Sequence, residues 1–244
     1  MVEFEDEGFV LSARAHGETG AIVEVLTAHH GRWAAHVPGG ASRRLKPVLQ
    51  PGSRVRMAYR ARVADQLGSA RLEGEGEGAS ALFDDPIALS ALAAAAAVVA
   101  GALPEREPHD GAFHAFEALV AALAMTDLWP AVFVRFEMGL LQELGFGFDL
   151  SRCAVTGATD NLVWVSPRTG RAVSADAGEP YRDRLLALPP FLLSSQHRLR
   201  TGDVAAGMAL TGRFLKDFVF AVVNRPLPPA RDRLIERLEE AGRL

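Results

Sequence analysis

The first 80 residues alternate apolar and polar positions in short runs broken by turn residues, the pattern of a small β structure. The runs are Gly8 to Arg14, Ala21 to Thr27, Arg32 to Val37, Ser53 to Val63 and about Gly68 to Glu73. Between them stand Gly17-Glu18-Thr19-Gly20, His30-Gly31, Pro38-Gly39-Gly40 and Pro51-Gly52, residues that supply positive φ or a fixed turn. Residues 41–50 leave room for a helical turn. Five short strands with a short insert between the third and fourth predict an OB-fold barrel.

After the alternating Glu73-Gly74-Glu75-Gly76-Glu77-Gly78, which reads as a loop or linker, the period becomes helical. Asp85-Pro86 forms an N-cap and first-turn pair, and Ala/Leu-rich spacing continues to Leu103. Further helices fit His114 to Met125, Ala131 to Leu144 (ended by Gly145 and Gly147), Asp203 to Val223 with Asp203 as cap, and Arg231 to Glu240. A turn-rich insert occupies about residues 151–180. The expected class is α+β: an OB-fold domain over residues 1–80 and a mainly helical domain over residues 81–244.

Charge sharpens the first of these. From Val25 to Ala64 the chain carries Arg32, Arg43, Arg44, Lys46, Arg54, Arg56, Arg60 and Arg62 with no Asp or Glu, a local +8 inside a chain of net charge −4. Surfaces ordinarily intersperse both signs, so a field of this kind points to a polyanion, and nucleic acid is the expected partner. On the fourth run, Val55, Met57, Tyr59, Ala61 and Val63 alternate with Arg54, Arg56, Ala58, Arg60 and Arg62, which puts four arginines on one face. Like charges packed along a sheet repel, and a polyanion lying across them would relieve that repulsion. Trp33 and Tyr59 either fill the barrel or stack bases.

Enzyme signatures are sparse. There is no Gly-x-x-x-x-Gly-Lys-Ser/Thr phosphate cradle and no His-Glu-x-x-His zinc helix. His29, His30 and His36 sit in the acid-free stretch, so a solvated or phosphate-facing role is expected for them. Ser194-Ser195 and Cys153 lack a recognisable base or nucleophile elbow. A single cysteine forms no internal disulfide, and the start, with Glu3, Glu5, Asp6 and Glu7, lacks the basic region of a secretory signal, so the cytoplasm is expected. The uncharged stretch Ile87 to Leu103 is mostly alanine with acidic flanks, and reads as a buried helix rather than a membrane span.

Asp6-Glu7-Gly8-Phe9-Val10-Leu11, His16-Gly17-Glu18-Thr19, Leu26-Thr27, Gly31-Arg32, Gly39-Gly40 and Arg43-Arg44-Leu45, taken in order, resemble the N-terminal domain of the bacterial RecO DNA-repair proteins. Arg135-Phe136-Glu137, Leu140-Leu141, Leu144-Gly145-Phe146 and Cys153 resemble that family's central helix leading into a zinc-ribbon-like insert. Each piece is weak alone; their order and spacing along nearly the whole chain are specific. The resemblance implies a recombination mediator that binds and anneals single-stranded DNA, also meets double-stranded DNA, and contacts the acidic tail of the single-stranded DNA-binding protein. It further implies work with RecR to load RecA, with the need for RecF left open, by a monomer at the bacterial nucleoid. Two other classes stay open: an RNA-binding OB module and a metal-dependent nucleic-acid-processing enzyme.

The resemblance fails at one point. Thr156 stands where metal-binding members have a second cysteine, and the later pair is replaced by residues around Ser174 and Ala177. Four ligands cannot come from Cys153, so an insert without metal, packed around Val163, Trp164 and Val165, is expected, with no cofactor and no catalytic residue. The family's partner-tail site carries over only at Arg135, the sole Lys or Arg from Glu107 to Ser151. No acid lies three or four residues away on its helix, so the residues alone favour a tertiary ion pair with a distant acid, and the resemblance favours an anchor for an acidic peptide.

Overall fold

The computed structural model describes residues 1–63, 66–76, 82, 84–194 and 196–244; Glu77 and Gly78 of the acidic-glycine run, and Ser195, lie outside them. Two compact units are present, Met1–Ala124 with Pro228–Leu234, and Met125–Leu227 with Ile235–Leu244.

In the first unit, β1 (Val2–His16), β2 (Gly20–Thr27), β3 (Gly31–Val37), β4 (Arg54–Ala61) and β5 (Gly68–Gly74) close a barrel in the order β1-β2-β3-β5-β4. All pairings are antiparallel except β3 with β5. Inward-facing Val10, Val23, Val25, Val55, Met57 and Leu72 fill it, as a two-residue period requires. Trp33 and Tyr59 join them at 8% and 1% exposure, so both pack in the barrel.

The first strand is much longer than the alternation predicts. Its first half pairs β4 and its second half pairs β2, with a register shift between Val10 and Ser12 where the strand bends from one neighbour to the other. Glu3 lies opposite Arg60 and Glu7 opposite Arg56, so an acidic stretch that looks too polar for a strand is held by cross-strand attraction to a basic one.

Helix α1 (Pro86–Ala102) begins where the sequence places it: the Asp85 carboxylate accepts the amides of Ile87 at 3.0 Å and Ala88 at 2.9 Å. Ala88, Ala91, Ala94, Ala95 and Ala96 are buried, and among the described residues no helix is long and apolar enough to cross a membrane. Close packing on the barrel depends on Gly52, whose φ of +79° suits only glycine and where a Cβ would lie 2.4 Å from Leu92 Cδ1. Helix α2 (Asp110–Met125) starts earlier than its apolar period suggests and sets Phe113 and Phe116 against Phe9, each at 5.4 Å between ring centroids.

The second unit holds α3 (Trp129–Glu143) and a three-stranded sheet in the order β7-β6-β8, from β6 (Leu162–Val165), β7 (Ala172–Ser174) and β8 (Leu186–Ala187). The single turn α4 (Ala175–Gly178) follows β7, and α5 (Asp203–Phe214) comes after the sheet. Asp203 is the first residue of α5 rather than its cap; Gly202, at φ +86°, occupies that position. The helix does not run regularly to Val223 but passes into a π-turn at Leu215–Phe220, which stacks Phe218 on Phe214 at 5.2 Å. Helix α6 (Pro229–Glu240) contributes to both units.

Candidate nucleic-acid interface

The eight cations of the acid-free stretch divide into two groups. Arg32 on β3 is nearly buried: its Nε donates to the Leu103 carbonyl at 3.1 Å, and Nη1 lies 3.4 Å from Glu24 and 3.6 Å from Glu105. It braces the barrel against the end of α1. Arg54 reaches Glu7 at 2.6 Å and Glu117 at 2.7 Å, and the Glu7 bond holds its pKa above the ordinary arginine value. Arg56 reaches Glu75 at 3.3 Å and lies between Glu7 on β1 and Glu73 on β5. The expectation that the β4 arginines repel one another unrelieved is therefore corrected at Arg54 and Arg56. The acids come from outside the 25–64 stretch, brought in by strand pairing and by the packing of α2.

Arg43, Arg44, Lys46, Arg60 and Arg62 are exposed and make no ion pair with any described residue. The first three ride on the connection between β3 and β4, which holds helical turns through Lys46 N to Ser42 O at 3.1 Å and Leu49 N to Leu45 O at 3.0 Å. Leu45 and Leu49 point into the barrel core and fix this connection, so the cations beside them face out. Arg44 and Arg60 line one cleft together with Arg71 of β5, and Lys46 lines a second with Arg14 of β1. Arg71 and Arg14 were not singled out in the sequence; Arg71 sits in the outward set Ser69, Arg71, Glu73 of β5, a weak signal beside Arg54 to Arg62.

His29 and His30 are not merely solvated. Asp6, from β1, receives the Nδ1 of His29 at 2.9 Å and that of His30 at 2.7 Å, and also the His29 amide at 2.9 Å. Burial pushes the Asp6 carboxyl up, but the hydrogen bonds from His29 and His30 outweigh it and leave the pKa below its ordinary value. The same bond to Asp6 raises the pKa of His29.

Arg135 is exposed on α3, opposite the buried Phe133, Val134 and Phe136. Its guanidinium donates to the Phe191 carbonyl and lies 6.0 Å from the centroid of the Phe191 ring. Among the described residues it has no carboxylate partner, so the tertiary ion pair is absent.

Two family models match, Recombination protein O N terminal over residues 1–72 and Recombination protein O C terminal over residues 84–219. The DNA repair protein RecO of Phenylobacterium zucineum (strain HLK1) is 74% identical over 243 residues, covering 100% of both chains. That of Caulobacter sp. (strain K31) is 67% identical over 243 residues, again covering 100% of both. That of Rhodospirillum rubrum is 48% identical over 244 residues, covering 98% of this chain and 97% of the relative. The chain belongs to the RecO family.

The closed five-stranded barrel is the RecO N-terminal OB-fold, and the helical region after it falls under the C-terminal model. Around Cys153, the residues present do not fit a zinc ion. Cys153 is the only cysteine, and no group of three His, Cys, Asp or Glu among the described residues could hold a metal. The turn Cys153–Ala158, closed by Cys153 N to Ala158 O at 2.7 Å and Gly157 N to Cys153 O at 2.9 Å, instead wraps the thiol in donors. Ser174 N and Oγ donate to Sγ at 3.3 and 3.4 Å, and Thr156 adds its hydroxyl and amide. Burial pushes the thiol up, but these hydrogen bonds bring its pKa down to about 6.

Proposed function

We propose that this RecO-family DNA repair protein acts as a recombination mediator: it binds and anneals single-stranded DNA and, with RecR, helps load RecA onto DNA coated by the single-stranded DNA-binding protein. The observation that carries this is the set of exposed cations without carboxylate partners, Arg43, Arg44, Lys46, Arg60 and Arg62, on one OB-fold. Arg56, half-held by Glu75, extends it, whereas Arg32 and Arg54 support the barrel rather than reach DNA. Phosphates screened by such a face lose their mutual repulsion while the bases remain able to pair, so annealing needs no nucleotide and no bond is broken. Residues 1–80 carry the DNA-binding work and residues 81–244 dock proteins. Arg135, with its guanidinium exposed beside Phe191, suits the carboxylates of the acidic tail of the single-stranded DNA-binding protein. The working form is a cytoplasmic monomer at the nucleoid, contacting single- and double-stranded DNA, with RecF as an optional partner.

The test is annealing of complementary labelled strands without nucleotide or metal, together with the salt dependence of single-strand affinity. Neutralising about five phosphates gives a log–log slope of roughly −3.5 on single strands. Charge reversal at Arg60 and Arg62 should flatten that slope by about 1 and abolish annealing. A slope near zero, or strand cleavage in place of annealing, overturns the reading.

A further inference from the structure

The OB-fold carries a cleft of about 640 Å³ beside the exposed cations. Its apolar lining comes from Val37 and Leu72 on the strands and from Leu45 and Val48 on the β3–β4 connection. The β5 wall packs closely on the connection at Gly74, where a Cβ would lie 3.2 Å from Val48 Cγ2. Around these residues lie Arg44, Arg60 and Arg71. Arg60 pairs with Ser69 across the strands and Arg71 with Ala58, so the two arginines are diagonal neighbours on one face, a repulsive arrangement that an anion between them would relieve. Glu73 bonds Arg71 at 3.0 Å and Glu3 lies opposite Arg60 on β1, two acids against three cations, so the rim keeps a net positive charge.

An apolar hollow with surplus positive charge at its edge matches an anionic ligand that also has a flat apolar body. We propose that this cleft is a nucleobase subsite: it takes an unpaired base of a DNA single strand while Arg44 and Arg60 hold the adjoining phosphates. The inference rests on the single-strand binding proposed above and adds what a phosphate-tracking face alone lacks, a contact that a paired and stacked duplex base cannot make. Phosphate contacts position a strand, whereas a base buried in a hollow discriminates single-stranded from duplex DNA. No aromatic side chain lines the cleft among its described residues, so the base is held by aliphatic packing and guanidinium stacking, which tolerate any of the four bases.

The experiment compares the full-length protein binding an oligothymidine with an abasic strand of the same length and phosphate number, at several salt concentrations. The expected result is at least a tenfold weaker affinity for the abasic strand with parallel salt slopes, since only base contacts are lost. In parallel, an oligonucleotide carrying 5-iododeoxyuridine is irradiated and the protein digested with trypsin. Crosslinks should fall in the peptide that holds Val37, in the one that holds Leu45 and Val48, or in the one that begins at Leu72. Equal, salt-dependent affinity for both strands, or crosslinks elsewhere, overturns the base subsite while leaving phosphate binding intact; it would assign the cleft to another occupant, such as an acidic-apolar peptide. Salt-independent or absent binding of both strands overturns the single-strand reading itself.

Discussion

The Arg54 guanidinium donates to the Glu117 carboxylate across 2.7 Å, joining the fourth barrel strand to the second helix. Its other arm bonds Glu7 on β1 at 2.6 Å, so one side chain ties two strands and a helix together. The first of the four β4 arginines is thus engaged by two carboxylates.

Arg54→Ala should therefore lower stability, by about 1–2 kcal/mol after allowance for its partial exposure, while changing single-strand affinity by less than about threefold. Arg43→Glu with Arg62→Glu should do the reverse, leaving the melting temperature unchanged and weakening DNA binding strongly. Thermal denaturation and fluorescence anisotropy on the two variants separate the roles. A large affinity loss in Arg54→Ala at unchanged stability would return Arg54 to the interface.

Arg135→Ala should weaken binding of an acidic, carboxylate-terminated peptide by roughly ten- to a hundred-fold, the loss of about 1.5–3 kcal/mol from one charge-assisted contact. Affinity for naked single-stranded DNA should stay within about twofold. Calorimetry with the peptide, after circular dichroism has shown an intact helix, measures it; full peptide affinity in the variant would place the docking site elsewhere.

The thiol of Cys153 takes the hydrogen bonds that would otherwise leave the donors of the buried Ser174 unpaired. Cys153→Ala should cost about 1–3 kcal/mol. Because the folded thiol titrates near 6, below its ordinary 9.0, the thiolate adds stability that is fully present above the unfolded value and is lost as pH falls through about 6. The gap in melting temperature between the protein and the variant should thus widen from pH 6 towards pH 9. Elemental analysis should find no stoichiometric zinc, and chelators should leave the melting temperature unchanged.

Asp6 and His29 stabilise each other in opposite pH directions. The lowered Asp6 contributes stability above its unfolded value of 3.8 that disappears as pH falls through the folded value. The raised His29 contributes stability below 6.5 that disappears as pH rises through its folded value. Subtracting the melting curve of Asp6→Asn from that of the protein should leave a plateau between about pH 4 and 6.5 that falls on both sides. A flat difference would mean that the cluster is electrostatically silent.

The sequence by itself determined the period and the punctuation. Strands β2 to β5, the Asp85 cap and the buried alanines of α1 were legible because alternation, turn glycines and helix caps are local. The cation positions were equally legible, as was the family to which their order points. Only the tertiary structure decided which cations have partners. Arg54 and Glu117 are 63 positions apart, and Glu7 and Arg56 meet only because β1 closes the barrel against β4. A charge run looks free when its counterions come from distant segments, because strand pairing and helix packing, not sequence proximity, set the distances on which Coulomb interactions depend. The same cause hid Asp6 between two histidines, and Arg71 beside Arg44 and Arg60.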